Sequence, residues 1–529
     1  MTFNLADLFE CAADAVPERT AMVTDRGRFT YAALDERVNR LANHLAASGI
    51  GAGDHVGLML LNGTEYVEGM LAAFKIRAVP INVNYRYVEN ELRYLFDDAD
   101  LVALIFHRQF GDRVAAVAGD LPDLRSFLVV EDGATAGAPD GTTDYEAALA
   151  AASPTRPPSA GRTGDDIYIA YTGGTTGMPK GVMWRHEDIF FASLGGGDPY
   201  QMGNFITSVD QLASRIPEVG MIALPTPPFM HVSAHWMVFI TLYGGGTIVL
   251  PPGGRFDPAA IWDLVAAEKV NMIVIVGDAM ARPLLDAFTP DRDASSLFVI
   301  GSGGAILSPS TKDRISEVFP NALVIDGYGA SETGVVGTRS GGSSEGGARF
   351  AVNDQTAVLD EAGRPLIPGS DATGRLARRG HIPLGYYGDD AKTAATFLTI
   401  DGVRWVLPGD MAKIDADGTV ILLGRGSVSI NTGGEKVFPE EVESALKAHP
   451  GIADAVVVGV PDERWGERVV AVIQPSGAVA PTIDEIQAFC RDHIAGYKVP
   501  RDIRLVAEMV RSPAGKADYR WAKEVAIAD

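Results

Sequence analysis

Four short apolar runs constrain this chain most: Ile167–Ala170, Met272–Val276, Leu297–Ile300 and Leu323–Asp326. Each is rich in β-branched or aliphatic residues and is followed by a turn containing glycine, which reads as a strand that ends at a sharp reversal. Ahead of them, Leu34, Val38, Leu41 and Leu45 recur at helical spacing and lead into a further β-like run, Val56–Leu60. Strands alternating with amphipathic helices predict an α/β chain, and the ends of such strands are where α/β proteins bind ligands. At 529 residues the chain exceeds what one compact core holds, so two or more domains are expected.

The texture changes after Gly424. A small α+β pattern follows, with a helix over Pro439–Ala448, strands near Ala455–Val460 and Val469–Ile473, and a helix near Ile483–Ile494. The expected division is therefore 1–424, a large multi-sheet domain, and 425–529, a small C-terminal domain. The Pro/Gly/Ser/Thr-rich stretch Ser153–Gly164 is either a linker or a surface loop, the loop fitting better. Sixty-eight acidic against 45 basic residues give a net charge of −23, which argues against an extended nucleic-acid footprint while leaving room for a local basic phosphate pocket. The only cysteines, Cys11 and Cys490, show neither metal-ligand spacing nor a disulfide framework, which fits a reducing compartment. The first residues lack a basic segment leading into an apolar one, and no apolar run approaches the roughly 18 residues of a membrane span. A cytoplasmic protein is expected.

The strongest chemical signal is Tyr171-Thr-Gly-Gly-Thr-Thr-Gly-Met-Pro-Lys-Gly181, directly after a predicted strand. Its glycines permit positive φ and close backbone approach, so successive N–H groups can form an anion-binding concavity, with threonine hydroxyls and Lys180 adding donors and charge. It departs from a P-loop, because Gly181 stands where that motif needs Ser or Thr after the lysine. Gly301-Ser-Gly-Gly-Ala305 likewise lacks the third glycine of a dinucleotide-binding fingerprint. A flexible Gly/Thr turn with no ligand is the bland alternative.

Together with segments further along, this run resembles the adenylate-forming superfamily of acyl-CoA synthetases, nonribosomal adenylation domains and firefly-type luciferases. The resemblance spans nearly the whole chain, with the segments in family order. It implies ATP binding by Thr172, Gly173, Gly174, Thr175, Thr176, Gly177 and Lys180, and by Gly303, Gly304 and Ala305. Asp326, Gly327, Tyr328, Gly329 and Ala330 would follow, with Tyr328 near adenine, Ser331 on the α-phosphate and Glu332 on Mg²⁺. Asp410 would bind the ribose, assisted by Arg425. Lys516, in Ser512-Pro-Ala-Gly-Lys516, would be the catalytic lysine of a mobile C-terminal domain, swinging about a hinge at Ser427. Gly433, Gly434, Glu435 and Lys436 would meet coenzyme A.

The same resemblance makes His231 an aromatic gate and places His235, Asp278, Ala279, Ser302 and Ala330 around the acyl pocket. A zinc site on His231 and His235 has suitable i, i+4 spacing, but no third ligand with fitting spacing stands out. Two departures from the family pattern are Ser427, where a hinge Asp or Lys is usual, and Arg375, where Glu is usual. The implied chemistry is acyl-adenylate formation followed by transfer to a thiol, with CoA as acceptor and a carrier protein as the rival one. A homodimer is compatible with the family. The segments Asp278–Arg282 and Ser427–Asn431 resemble actinobacterial synthetases for steroid or other polycyclic terpenoid acids, with a medium- or long-chain fatty acid as the alternative substrate. A catalytically dead adenylate-binding protein is disfavoured by the presence of Lys180, Glu332, Asp410 and Lys516.

Overall fold

The computed structural model describes residues 3–174, 177–198, 203–254, 256–305, 307–340, 348–432, 435–462, 464–477, 479–511 and 516–528. Among them the strands form three sheets of fifteen, eight and five strands. The largest begins with a run that is parallel apart from its edge hairpin: Thr20–Thr24, Thr247–Val249, Ile222–Pro225, Met272–Ile275, Val299–Gly303 and Leu323–Ala330. It then continues antiparallel through Gly334–Ser340, Ala348–Val352, Val420–Arg425 and Asp410–Ile414. The second sheet is built on His55–Met59, flanked by Val79–Asn82 and Leu101–His107, and carries the hairpin Ile167–Gly174/Gly177–Arg185. The third, with Ile452–Asp462 and Gly466–Pro475 at its centre, belongs to a smaller C-terminal domain beside the large N-terminal one.

Local sequence explains the elements. Helix Tyr31–Ala47 starts where the Thr30 side chain accepts the Ala33 N–H, and it buries Leu34, Val38, Leu41 and Leu45 as their spacing requires. Helix Thr64–Lys75 is buried along its whole length, so its charges must be paired internally. Glu68 takes Arg37 and the Tyr145 hydroxyl, while the Lys75 ammonium lies 2.6 Å from Asp35, 2.7 Å from Glu10 and 2.6 Å from the Asn39 amide oxygen.

Three expectations are refined. The run Leu297–Ile300 begins its strand only at Val299, because Phe298 is about half exposed before the chain enters the sheet. Ser153–Gly164 is a surface loop, strapped down by Arg156 on Asp14 and Asp35 and by Arg162 on Asp7 and Glu10. The glycine- and threonine-rich run after Ala170 is largely strand: Thr172 pairs with Lys180 and Gly174 with Gly177. Gly181 explains the tight pairing, since a Cβ there would sit 2.8 Å from Ile169 and from the Tyr171 ring.

Candidate active site

The C-terminal ends of neighbouring strands converge on one side of the large sheet. Val299–Gly303 delivers Ser302 and Gly303, and Leu323–Ala330 delivers Asp326 through Ala330, with Ser302 opposite Asp326 and Gly303 opposite Gly327. The Tyr328 hydroxyl donates to Asp410 Oδ2 at 2.8 Å. Asp410 is buried, and its other oxygen lies 3.0 Å from Arg425 Nε, directly across the pair of strands that carry them. Burial and the Asp410 carboxylate push the tyrosine hydroxyl well above its ordinary value, so it remains a donor.

The turn after Ala330 is rigidly held. Trp184 Nε1 donates to the Ser331 carbonyl at 2.9 Å, Thr333 Oγ1 accepts the Ala330 N–H at 3.0 Å, and the buried Arg378 donates to the Thr333 carbonyl at 2.8 Å. Glu332 therefore has a fixed base, and its Oε1 accepts the Tyr386 hydroxyl at 2.9 Å. Tyr386 lies on a two-residue strand paired with the hairpin, at Val182. Lys180 is ion-paired with Asp389, whose carboxyl is held below the usual range by that lysine and by the Lys392 N–H.

Lys516 reaches this group from the C-terminal domain. It lies within electrostatic range of Arg425, Glu332 and Asp410. The residue keeps exposed surface, yet its ammonium is crowded: burial first, and then Arg425, lower its affinity for a proton, while Glu332 and Asp410 act in the opposite sense. Strands from both large sheets thus meet at Glu332, with Lys516 of the small domain within electrostatic range of it and of Asp410.

The segments expected at the acyl pocket divide. His231 is half-buried and opens helix Val232–Tyr243, its N–H bonded to the Pro228 carbonyl. His235 is instead a core residue: it is buried, its Nδ1 pairs with the Phe229 carbonyl at 2.9 Å, and its Nε2 meets the Tyr168 hydroxyl. Both ring nitrogens are thereby committed, and burial pushes the imidazole down to about 4, so it stays neutral. Among the described residues no group of three or more His, Cys, Asp or Glu is arranged to hold a metal ion. Asp278 is likewise committed, accepting the Ser308 N–H at 2.9 Å and pairing with Arg282 at 3.1 Å, while Ala279 beside it is exposed. Ser302 is buried and accepts the Gly277 N–H at 3.1 Å.

Thr175, Thr176, Gly433 and Gly434 lie outside the described residues, as do the side chains of Ser427 and Lys436. Glu435 is exposed on Glu435–Val437, at the edge of the C-terminal sheet. Sequence reasoning missed Asn82. Its buried amide donates to both the Tyr171 and Met230 carbonyls at 2.8 Å and accepts the Tyr171 N–H at 2.8 Å, tying the base of the hairpin to the His231 segment. A lone Asn after an apolar strand gives no signal of such a role.

The comparisons with known proteins agree with this architecture. Residues 9–387 match the AMP-binding enzyme family and residues 441–516 its C-terminal domain. The chain belongs to the AMP-binding enzyme family and is an acyl-CoA synthetase within it. It is 50% identical to a 3-oxocholest-4-en-26-oate–CoA ligase of Rhodococcus rhodochrous, over 99% of this chain and 96% of the relative. A medium/long-chain-fatty-acid–CoA/3-oxocholest-4-en-26-oate–CoA ligase of Mycobacterium marinum is 49% identical, with the same 99% and 96% coverage. Among solved structures, ATP-bound MatB from Rhodopseudomonas palustris superposes with a TM-score of 0.83 at 26% identity, covering 99% of each chain. The anthranilate–CoA ligase AuaEII, solved with anthranoyl-AMP, shares the fold, with a TM-score of 0.85 at 23% identity, over 99% of this chain and 98% of its own. No helix among the described residues is long and apolar enough to cross a membrane.

Proposed function

We propose that this synthetase activates a bulky steroid or polycyclic terpenoid acid as its acyl-adenylate and transfers the acyl group to CoA in the cytoplasm. The observation that carries the adenylation chemistry is the array at the strand ends, Asp410 held by Tyr328 and Arg425 and Glu332 held by Tyr386, with Lys516 of the small domain within electrostatic range of both carboxylates. The substrate class follows the relative at 50% identity whose name gives a cholestenoate. A medium- or long-chain fatty acid is the second reading, favoured by the double name of the relative at 49%.

The residues fit the reactants. Asp410, buried and already bonded to Tyr328 and Arg425, is a carboxylate acceptor suited to ribose hydroxyls. Glu332 spends one oxygen on Tyr386 and keeps a second for a divalent cation, so it fits Mg²⁺, which when bound neutralises phosphate charge. The substrate carboxylate oxygen attacks the α-phosphorus of ATP, the bond to pyrophosphate breaks, and Lys180 and Lys516 offset the charge that develops on the phosphate oxygens. Lys180 must exchange Asp389 for phosphate to do so. The C-terminal domain then turns about the segment at Ser427, withdrawing Lys516 and bringing Gly433 through Lys436 toward the thiol. The thiol sulfur attacks the acyl carbon, the carbon–oxygen bond to AMP breaks, and the thiol proton passes to solvent.

Two measurements test this reading. Pyrophosphate exchange and thioester formation, run with steroid, diterpenoid, aryl and fatty acids, are expected to give a higher kcat/KM for a steroid or diterpenoid acid than for palmitate. A clear preference for palmitate selects the second reading, and acyl transfer to a carrier protein in place of CoA replaces the acceptor. For the metal, Glu332→Gln is expected to raise the Mg²⁺ concentration needed for half-maximal adenylation by about tenfold or more. Superimposable Mg²⁺ titrations would remove Glu332 as the ligand.

A further inference from the structure

Helix Pro439–Lys447 of the C-terminal domain docks on the large domain at both ends. At its far end the Lys447 carbonyl accepts the Ser310 hydroxyl at 3.2 Å. At its first turn the Glu440 carboxyl rests on the last peptide of strand Val420–Arg425, with the Arg425 N–H 3.4 Å from Oε1. The approach is so close that a Cβ on Gly424 would lie 2.0 Å from Glu440 Oε2, and Gly424 itself takes φ +113°. Contacts made by this helix with Val420–Arg425 cannot survive unchanged if the domain turns about Ser427, since the two elements lie on opposite sides of that pivot.

We propose that Glu440 is a positioning residue for adenylation: its carboxyl, seated on the Gly424–Arg425 peptide, holds the C-terminal domain in the orientation that brings Lys516 to Glu332 and Asp410. The proposal rests on the reading of Lys516 and of domain rotation given above.

The hold is linked to a proton. Glu440 faces Glu443 one turn along its own helix, Asp410 from the neighbouring strand, and Tyr519 at the start of helix Tyr519–Ile527. Glu443 is itself buried, accepts the Val457 N–H at 2.9 Å, and is faced by Lys447, Arg511 and Asp454. Burial first, and then Glu443 and Asp410, push the Glu440 carboxyl from 4.5 up to about 7. A domain that swings away takes the carboxyl off the Gly424–Arg425 peptide and away from Asp410, while Glu443 and Tyr519 travel with it, so its affinity for a proton falls part of the way toward the ordinary value. The docked orientation therefore binds the proton more tightly: its advantage from Glu440 is complete at acid pH, declines as pH rises, and is gone above about 7. Adenylation would be favoured on the acid side and thiol capture on the alkaline side, where more of the thiol is ionised.

The test uses the full-length enzyme carrying a dye pair on Val219→Cys and Val479→Cys, two positions exposed at 82% and 87%. Burial raises both native thiols, Cys11 and Cys490, which slows their labelling. Wild type is expected to shift from the docked to the turned inter-dye distance as pH rises toward about 7. The ratio of acyl-AMP formation to thioester formation from supplied acyl-AMP should fall by up to about tenfold per pH unit in that window. Glu440→Gln, a permanently neutral mimic, should keep the docked distance throughout, and Glu440→Ala should show the turned distance at every pH with adenylation selectively slowed. Tyr519→Phe leaves the Gly424 contact intact and should move only the midpoint.

Identical pH profiles for wild type and Glu440→Gln would overturn the proton link. An unchanged distance in Glu440→Ala, or equal loss of both half-reactions with a lowered melting temperature, would overturn the positioning role. If instead Lys516→Ala left adenylation intact while the dye distances still followed Glu440, the reading of Lys516 would fail and the latch would stand.

Discussion

Lys516→Ala is expected to lower acyl-AMP formation by about 10²–10³-fold while thioester formation from supplied acyl-AMP stays near the wild-type rate. The asymmetry follows from where the charge is needed. In the first half-reaction negative charge accumulates on the phosphate oxygens, and the Lys516 ammonium lies within electrostatic range of Glu332 and Asp410. In the second half-reaction of the proposed cycle the leaving group is AMP, and the lysine would have been withdrawn. Pyrophosphate exchange and single-turnover thioester formation measure the two steps separately. Equal loss in both would make Lys516 a structural residue of the interface.

The second large effect lies far from the chemistry. Lys75→Ala is expected to destabilise the N-terminal domain by about 3–5 kcal/mol, because the ammonium is fully buried and two acidic residues depend on it. Removing it leaves Glu10 and Asp35 facing each other without their shared cation, although Arg156 and Arg162 still reach them from the surface loop. Lys75→Met, which keeps the stem and loses only the charge, should recover the packing share of the loss. Guanidinium unfolding followed by tryptophan fluorescence reads the difference, and a midpoint within error of wild type would show that the cluster contributes nothing net.

Periodicity made most of the architecture legible. Leu34, Val38, Leu41 and Leu45 could face one core only from a helix, and Met272–Ile275, short, rich in β-branched residues and followed by Gly277, reads as a strand covered on both faces. The glycine-rich segments at Gly301–Ala305 and Gly327–Gly334 are likewise expected together, and Val299–Gly303 and Leu323–Ala330 do pair side by side. The sequence is silent where a role depends on a distant partner. Glu440 in the first turn of a helix reads as a solvated carboxylate favoured by the helix dipole, and only the fold brings Gly424, Asp410 and Glu443 around it. Tyr386 gives no sign that its hydroxyl will reach Glu332, nor Asp389 that it will face Lys180. His235 shows the converse: its i, i+4 spacing from His231 suits a zinc site, but both of its ring nitrogens are spent in the core, on Phe229 and Tyr168.

Tyr328 and Asp410 lie 82 residues apart in sequence, yet the strands that carry them belong to one unbroken sheet, joined through Gly334–Ser340, Ala348–Val352 and Val420–Arg425. The spacing of Tyr328 and Asp410, the proposed adenine and ribose contacts, is therefore set by hydrogen-bonded register, which a turn beyond Arg425 would not disturb. In the proposed cycle the adenosine half of the intermediate would stay moored to the large domain through both half-reactions, and only the neighbours of its phosphate would change. Keeping a reactive mixed anhydride from drifting into water between the two steps would thus fall to the stiffness of five strands, leaving the small domain free to move.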